Sequence, residues 1–376
     1  LQFQPYPFER LGMLFANIVP PGDKSTIALT IGEPQFSTPQ FVQEALCEAS
    51  FELNKYPKTA GEEYLKQAQL SFFKKRFGIS LKESEIIPTF GTREVLFNFP
   101  QFALSEHEAP LMAYVNPFYQ IYEGAAIASK AKVLHLDLLP ENDFLPLFDE
   151  ESLKKCDLII LNSPSNPTGK VMSLEALKPW AKLAYEHDVI VLNDECYSEI
   201  YTTTPPPSLL EAAHAIGNLT CKNTLVVNSI SKRSSAPGLR SGFIAGDSAI
   251  LKEYARYRTY VGCAVPLPLQ RAAAKAWNDE LHVSQTRELY FRNMELASEI
   301  LGVEPSSATF YIWLHVGDGE AFAKSLYKAH GIAVLPGIYL GRNGMGSAYV
   351  RIALVHAPSV IEEALVRVAD HYKGWA

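Results

Sequence analysis

Short apolar runs alternate with longer stretches of helical period along most of this chain. Mainly apolar segments at 27–31, 111–115, 157–161, 189–192, 224–228 and 242–246 read as short buried strands. Between them, apolar positions fall three and four residues apart. Phe41, Val42, Ala45, Leu46 and Ala49 mark one helix, with Thr38 expected as its N-cap and Pro39 as its first residue. A second helix is expected from about Glu62 to Phe77, closed by Gly78. A third follows Gly91-Thr92-Arg93-Glu94, with Val95, Leu96 and Phe99 on its apolar face, and Pro100 should kink or end it. Ser173 opens a fourth that runs to about Glu186.

Strands alternating with helices imply right-handed crossovers and a largely parallel sheet, so the expected fold class is α/β. After Asp247 the pattern is helical to about Leu301, including a stretch near 269–277 whose alanines allow close packing. From about residue 285 the character changes, and runs at 310–314, 332–335 and 349–354 read as strands of a smaller α/β domain. The expected organisation is an N-terminal arm and small-domain part over 1–40, a large domain over 41–285 and a C-terminal small domain over 286–376.

Ligands bind such sheets at the carboxyl ends of the strands. Asn166 follows the 157–161 run, Asp194 the 189–192 run and Lys232 the 224–228 run, so the three are expected in one site. Lys232 lies in Ser229-Ile230-Ser231-Lys232-Arg233-Ser234, and Arg240 follows eight residues later. A lysine held at a strand end suits imine chemistry with an aldehyde cofactor, and hydroxyls with an arginine suit its phosphate; taken alone, the stretch reads equally as a loop with a solvated Lys-Arg pair. Gly32-Glu33-Pro34 reads equally as a turn or as a close backbone approach to a ligand. Gly91-Thr92 at a helix start could hold an anion, although taken alone it is better read as an ordinary cap. Tyr119, just past a strand, could lie on a planar ring, although such residues more often belong to the core.

The bulk numbers narrow the function classes. The chain has 376 residues, 47% of them hydrophobic, which is enough for a large core or two domains. A net charge of −7 argues against a general nucleic-acid binder. The five cysteines are scattered and never in CxxC spacing, and the nine histidines form no HExxH, so no metal site or disulfide framework is expected. With no apolar run of membrane length and no leader pattern, a soluble cytoplasmic protein without a membrane partner is expected. The first residue is Leu1 rather than Met, which leaves a trimmed or incomplete start open.

The motifs as a set resemble the fold-type I, pyridoxal-phosphate-dependent aminotransferases of class I/II. The likeness runs from Gly32-Glu33-Pro34 through Asn166-Pro167-Thr168-Gly169, Asp194-Glu195-Cys196-Tyr197, Ser229-x-Ser231-Lys232 and Pro237-Gly238-x-Arg240 to Arg351. The segments at 6–11, 116–124 and 231–243 further resemble the N-succinyldiaminopimelate aminotransferases of lysine biosynthesis. This resemblance implies a large domain with a mostly parallel central sheet, a smaller α/β domain, and pyridoxal 5′-phosphate as cofactor. It implies that Lys232 forms the Schiff base and moves protons, and that Asp194 pairs with the pyridine nitrogen. Asn166 and Tyr197 would donate to the ring's phenolic oxygen, and Tyr119 would stack on the ring. The phosphate would lie against Gly91, Thr92, Arg93, Ser229, Ser231 and Arg240, with Tyr56 reaching across from the other subunit of a homodimer. Arg351, with the Gly32 backbone and Asn166 beside it, would bind the substrate α-carboxylate. Glutamate would donate the amino group and a 2-oxo acid would accept it.

Alternatives on the same scaffold are another aminotransferase of aromatic, aspartate or alanine type, a lyase or synthase, and a ligand-sensing regulator. The regulator would need an added DNA-binding segment, and no basic helix-turn-helix pattern precedes residue 25. Arg93 and the Arg233-Ser234 pair depart from the commoner pattern of the class, and their roles stay open.

Overall fold

The computed structural model describes residues 2–304 and 306–375. A two-residue strand β1 (Ile27–Ala28) precedes the central sheet. That sheet comprises β2 (Ile86–Thr89), β3 (Leu111–Asn116), β4 (Lys132–Asp137), β5 (Leu158–Asn162), β6 (Ile190–Asp194), β7 (Thr224–Ser229) and β8 (Gly242–Gly246). Their spatial order is β2-β8-β7-β6-β5-β3-β4. Every neighbouring pair is parallel except the two made by β8, which runs against both β2 and β7. The molecule is thus an α/β protein with a mostly parallel central sheet flanked by helices.

The apolar runs carry no polar alternation because both sheet faces are covered. Ile159 and Leu161 of β5 face a core built around Trp180, Trp277, Phe72 and Phe243. Leu158 and Ile160 face the opposite core, with Tyr114, Phe118, Tyr122 and Tyr254. Successive side chains therefore feed alternate layers.

A third apolar cluster gathers Ile27, Leu29, Tyr311, Ile312, Leu326, Val350 and Leu365. It lies on a sheet of β9 (Tyr311–His315), β11 (Leu335–Pro336) and β12 (Tyr349–Ala353), in the order β11-β12-β9. β10 (Ile332–Ala333) pairs in parallel with β1, which ties the N-terminal arm to this region. The expected boundary at 285 falls inside one helix, Leu281–Leu301.

Local expectations need several corrections. The strand expected at 27–31 is a strand only at Ile27–Ala28; Leu29 still donates to the Ala333 carbonyl at 2.8 Å and accepts from the Ala353 N–H at 2.9 Å. Thr38 does not cap the helix Gln40–Glu48; its hydroxyl instead donates to the Ser235 carbonyl at 2.6 Å, and Pro39 holds the cap position. Pro100 does not end the helix Thr92–Ala103. Val95, Leu96 and Phe99 are fully buried there, and that packing outweighs one lost backbone bond.

Candidate active site

The central strands end in a cavity of about 1010 Å³. Asn162, Asp194 and Ser229, at the ends of β5, β6 and β7, reach it together with Arg351 of β12, as expected at a point where the strand order reverses.

Lys232 stands on the four-residue helix Ile230–Arg233, which begins where β7 ends. Its Nζ donates to the Gly32 carbonyl. The side chain lines the cavity, and burial pushes its amine down to about 8, with Arg351 also disfavouring the charge. Gly32 has no room for a side chain, since a Cβ would lie 1.7 Å from the Tyr311 hydroxyl.

Asp194 ends β6 and is buried. One carboxylate oxygen accepts from the Tyr122 hydroxyl at 2.9 Å and the other from the Cys196 backbone N–H at 3.2 Å. Burial raises its pKa in spite of these bonds and of the nearby Lys232. A buried carboxylate held upward in this way gains from a cationic partner. Tyr122 and the Cys196 thiol are both pushed well above their ordinary ranges, chiefly by burial, so each keeps its proton.

Two further clusters lie around this centre. Arg351, on β12, is buried and has no carboxylate among its hydrogen-bond partners. Its Nη1 donates to Asn166 Oδ1 at 2.7 Å, its Nη2 to the Thr30 carbonyl at 2.5 Å, and its Nε has no partner among the described residues. The guanidinium lies over the Tyr311 ring, 4.3 Å from the centroid. Tyr197 is buried beside it, with its hydroxyl 2.9 Å from that of Tyr311.

At the other end, Arg240 donates to the carbonyls of Pro237 (2.8 Å) and Phe90 (3.1 Å), again without an acid. Burial and the neighbouring Arg93 lower its pKa. Its guanidinium rests on Gly91, where φ is +75° and a Cβ would lie 2.3 Å from Nη2. Gly91 starts the helix Thr92–Ala103, so free N–H groups point to the same place. The Ser229 and Ser231 hydroxyls are 2.8 Å apart and both line the cavity. Arg93 is exposed, and its Nε donates to the Tyr119 hydroxyl at 2.8 Å. Thr92 Oγ1 lies 3.1 Å from Cys196 Sγ.

These clusters fit pyridoxal phosphate on three counts. A guanidinium without an acid partner at a helix start would suit the phosphate, a buried carboxylate would suit the ring nitrogen, and a lysine with a depressed pKa would suit the aldehyde. Of the residues expected in the site, Gly91 lies behind the cavity wall and Tyr56 lies outside it, fully exposed. Tyr122, Cys196, Tyr311 and Glu33 border the site although the sequence assigns them no role there; Tyr122 follows Tyr119 by three residues, and its N–H donates to the Tyr119 carbonyl at 3.0 Å. Arg233 is turned away into the core, where it pairs with Glu280 at 2.8 Å. Among the described residues no group of three His, Cys, Asp or Glu could hold a metal ion, and no helix is long and apolar enough to cross a membrane.

The chain belongs to the aminotransferase class I and II family, whose model matches residues 24–368. It is a pyridoxal-phosphate-dependent transaminase. It is similar to the LL-diaminopimelate aminotransferase of Dehalococcoides mccartyi, with 29% identity over 97% of this chain and 96% of the relative. The crystal structure of aminotransferase AspB from Helicobacter pylori matches with a TM-score of 0.97 and 52% identity, over 99% of this chain and 100% of that one. An aminotransferase structure from Neisseria meningitidis matches with a TM-score of 0.93 and 39% identity, over 99% and 98%.

Proposed function

We propose that the enzyme takes an amino group from glutamate and passes it to N-succinyl-2-amino-6-oxopimelate, in lysine and diaminopimelate biosynthesis. The observation that carries the transfer itself is the single cavity holding Lys232, Asp194 and Arg351. The acceptor is supported by the subfamily likeness at 6–11, 116–124 and 231–243, and by a relative named for diaminopimelate. A volume of about 1010 Å³ has room for so long a molecule beside the cofactor.

When bound, pyridoxal phosphate supplies an electron-poor ring that accepts the electron pair left on the substrate's α-carbon. Arg240, Ser229, Ser231, Thr92 and the helix start at Gly91 would hold its phosphate. Asp194 would keep a positive charge at the ring nitrogen, while Asn166 and Tyr197 would face its phenolic oxygen. Arg351 would grip the substrate α-carboxylate through a forked pair of bonds. Lys232 would take the proton from the α-carbon and return it elsewhere; at a pKa of about 8, roughly one-tenth of such amines are neutral at pH 7.

In this reading residues 41–285 hold the cofactor, while 1–40 and 286–376 cover it. Tyr56 reaches the phosphate of a partner copy, so the working unit is a cytoplasmic homodimer. A half-reaction screen tests the substrate assignment. Glutamate and N-succinyl-LL-diaminopimelate should each discharge the visible absorption of the pyridoxal form. Discharge by aromatic amino acids or alanine, with none by the succinylated compound, would end it.

A further inference from the structure

Arg233, Ser234 and Ser235, which directly follow Lys232, do not line the cavity, yet they are fastened from several directions. Arg233 is fully buried; its Nη1 donates to the Ala276 carbonyl at 3.2 Å and its Nη2 to Glu280 at 2.8 Å. Its guanidinium lies over Phe72 and Trp277, 4.7 and 5.0 Å from their ring centroids. Ser234 Oγ is 2.8 Å from His282 Nε2, and His282 Nδ1 is 2.6 Å from Asp279 Oδ2. Ser235 is held through its carbonyl by Thr38. Asp279, Glu280 and His282 all sit where the helix Leu267–Asn278 gives way to the helix Leu281–Leu301.

The protons in this chain of contacts are set by its acidic end. Asp279 Oδ2 also accepts from the His282 backbone N–H at 2.9 Å, so the ring presents Nδ1–H to the carboxylate and leaves Nε2 bare. Ser234 then donates to Nε2. Burial keeps His282 below its ordinary range, and the Arg233 charge acts in the same sense against the pull of Asp279. The Phe41 ring closes over the imidazole edge, with centroids 5.6 Å apart. A serine, a histidine and an aspartate in this order could suggest acyl transfer. Ser234 is fully buried and cannot meet a substrate, so that reading fails.

What the contacts can do is hold a short helix still. Ile230–Arg233 is a single turn, and its end is marked by the Ser234 N–H donating to the Ile230 carbonyl at 3.0 Å. One turn has almost no stability of its own. The aim of a long lysine side chain therefore depends on what pins that turn. We infer that the Asp279–His282–Ser234 relay, together with the Arg233–Glu280 pair, is a positioning device that fixes where the Lys232 amine stands. The inference rests on the reading of Lys232 as the cofactor-linked amine.

The test compares holoenzyme carrying Ser234→Ala, His282→Ala or His282→Gln with the parent. Two readouts besides turnover are the pH midpoint of the cofactor's visible absorption change and the Kd for pyridoxal phosphate. Ser234→Ala and His282→Ala should move the midpoint by about half a pH unit or more and raise the Kd about tenfold, with the glutamate KM within about twofold. His282→Gln keeps an acceptor for Ser234 and should recover most of both. If both alanine variants keep the parent midpoint and Kd and only their melting temperature falls, the relay is mere scaffold and the inference is overturned. Should His282→Ala fail to fold, Ser234→Ala decides alone, because it removes one hydroxyl. Failure of the underlying reading looks different: the parent would show no lysine-dependent absorption, and Lys232→Ala would match it.

Discussion

Arg351 Nη1 donates to Asn166 Oδ1 at 2.7 Å, joining β12 to the loop after β5 across 185 residues of sequence. All the partners of this buried guanidinium are neutral, and its Nε is free among the described residues. A buried cation without a counter-charge is costly unless an anion completes it. Arg351→Ala should therefore weaken both glutamate and the keto acid by roughly 10²-fold, as loss of charge-assisted bonds worth about 2–3 kcal/mol implies. Arg351→Lys should recover only part, because an ammonium cannot form the fork. Single-turnover kinetics on each half-reaction check this. A loss confined to one half-reaction would remove Arg351 from the α-carboxylate role.

Much of this arrangement could be read from sequence, because strands buried on both faces are continuous apolar runs and their ends carry the polar motifs. β4 (Lys132–Asp137) is not legible in this way, since it is an edge strand with several exposed residues and no apolar run. Tyr311 and Cys196 look like core residues in the sequence; only the pairing of β9 with β12 and the turn after β6 bring them to the cavity. Arg233 shows the reverse case. Its place beside Lys232 suggests chemistry, yet its backbone direction aims it into the core, and no spacing rule reveals that.

Lys232 should take up pyridoxal phosphate covalently at a rate that rises with pH and levels off above about 8, because the neutral amine is the nucleophile and burial lowers its pKa to that value. An exposed lysine would keep gaining rate to about 10.4. Stopped-flow absorbance after mixing the apoenzyme with cofactor at successive pH values reads this directly. Lys232→Ala should bind cofactor without a covalent link and show no steady-state transamination. Retained turnover in that variant would defeat the assignment.

Gly91→Ala should cost cofactor affinity more than its size suggests. With φ at +75° and ψ at 171°, Gly91 occupies backbone space that other residues reach only at a cost of about 1–3 kcal/mol. The added methyl would also displace the Arg240 guanidinium, 2.3 Å away, from the helix start. A weaker Kd for pyridoxal phosphate, by about tenfold or more, is expected alongside a lower melting temperature. Equal binding by both proteins would mean that Arg240 does not serve the phosphate.

Glu195, next to Asp194, offers a separate check on how dry this part of the sheet is. It is buried; Oε1 accepts from Asn193, Ser208 and the Leu209 N–H, and Oε2 has no partner among the described residues. Burial pushes its carboxyl up to about 8, against an ordinary value of about 4.3. Between those two values the folded protein holds a proton that the unfolded chain has released. Stability should therefore be fully present below about pH 4.3 and decline as pH rises toward 8, by at most about 1.4 kcal/mol per pH unit. Glu195→Gln keeps the acceptor and cannot ionise, so it should lose this slope. Its urea midpoint should gain on the parent more at pH 8 than at pH 5.5. A parallel pair of pH–stability curves would show that Glu195 is already ionised in the fold, and that water reaches the space behind Asp194.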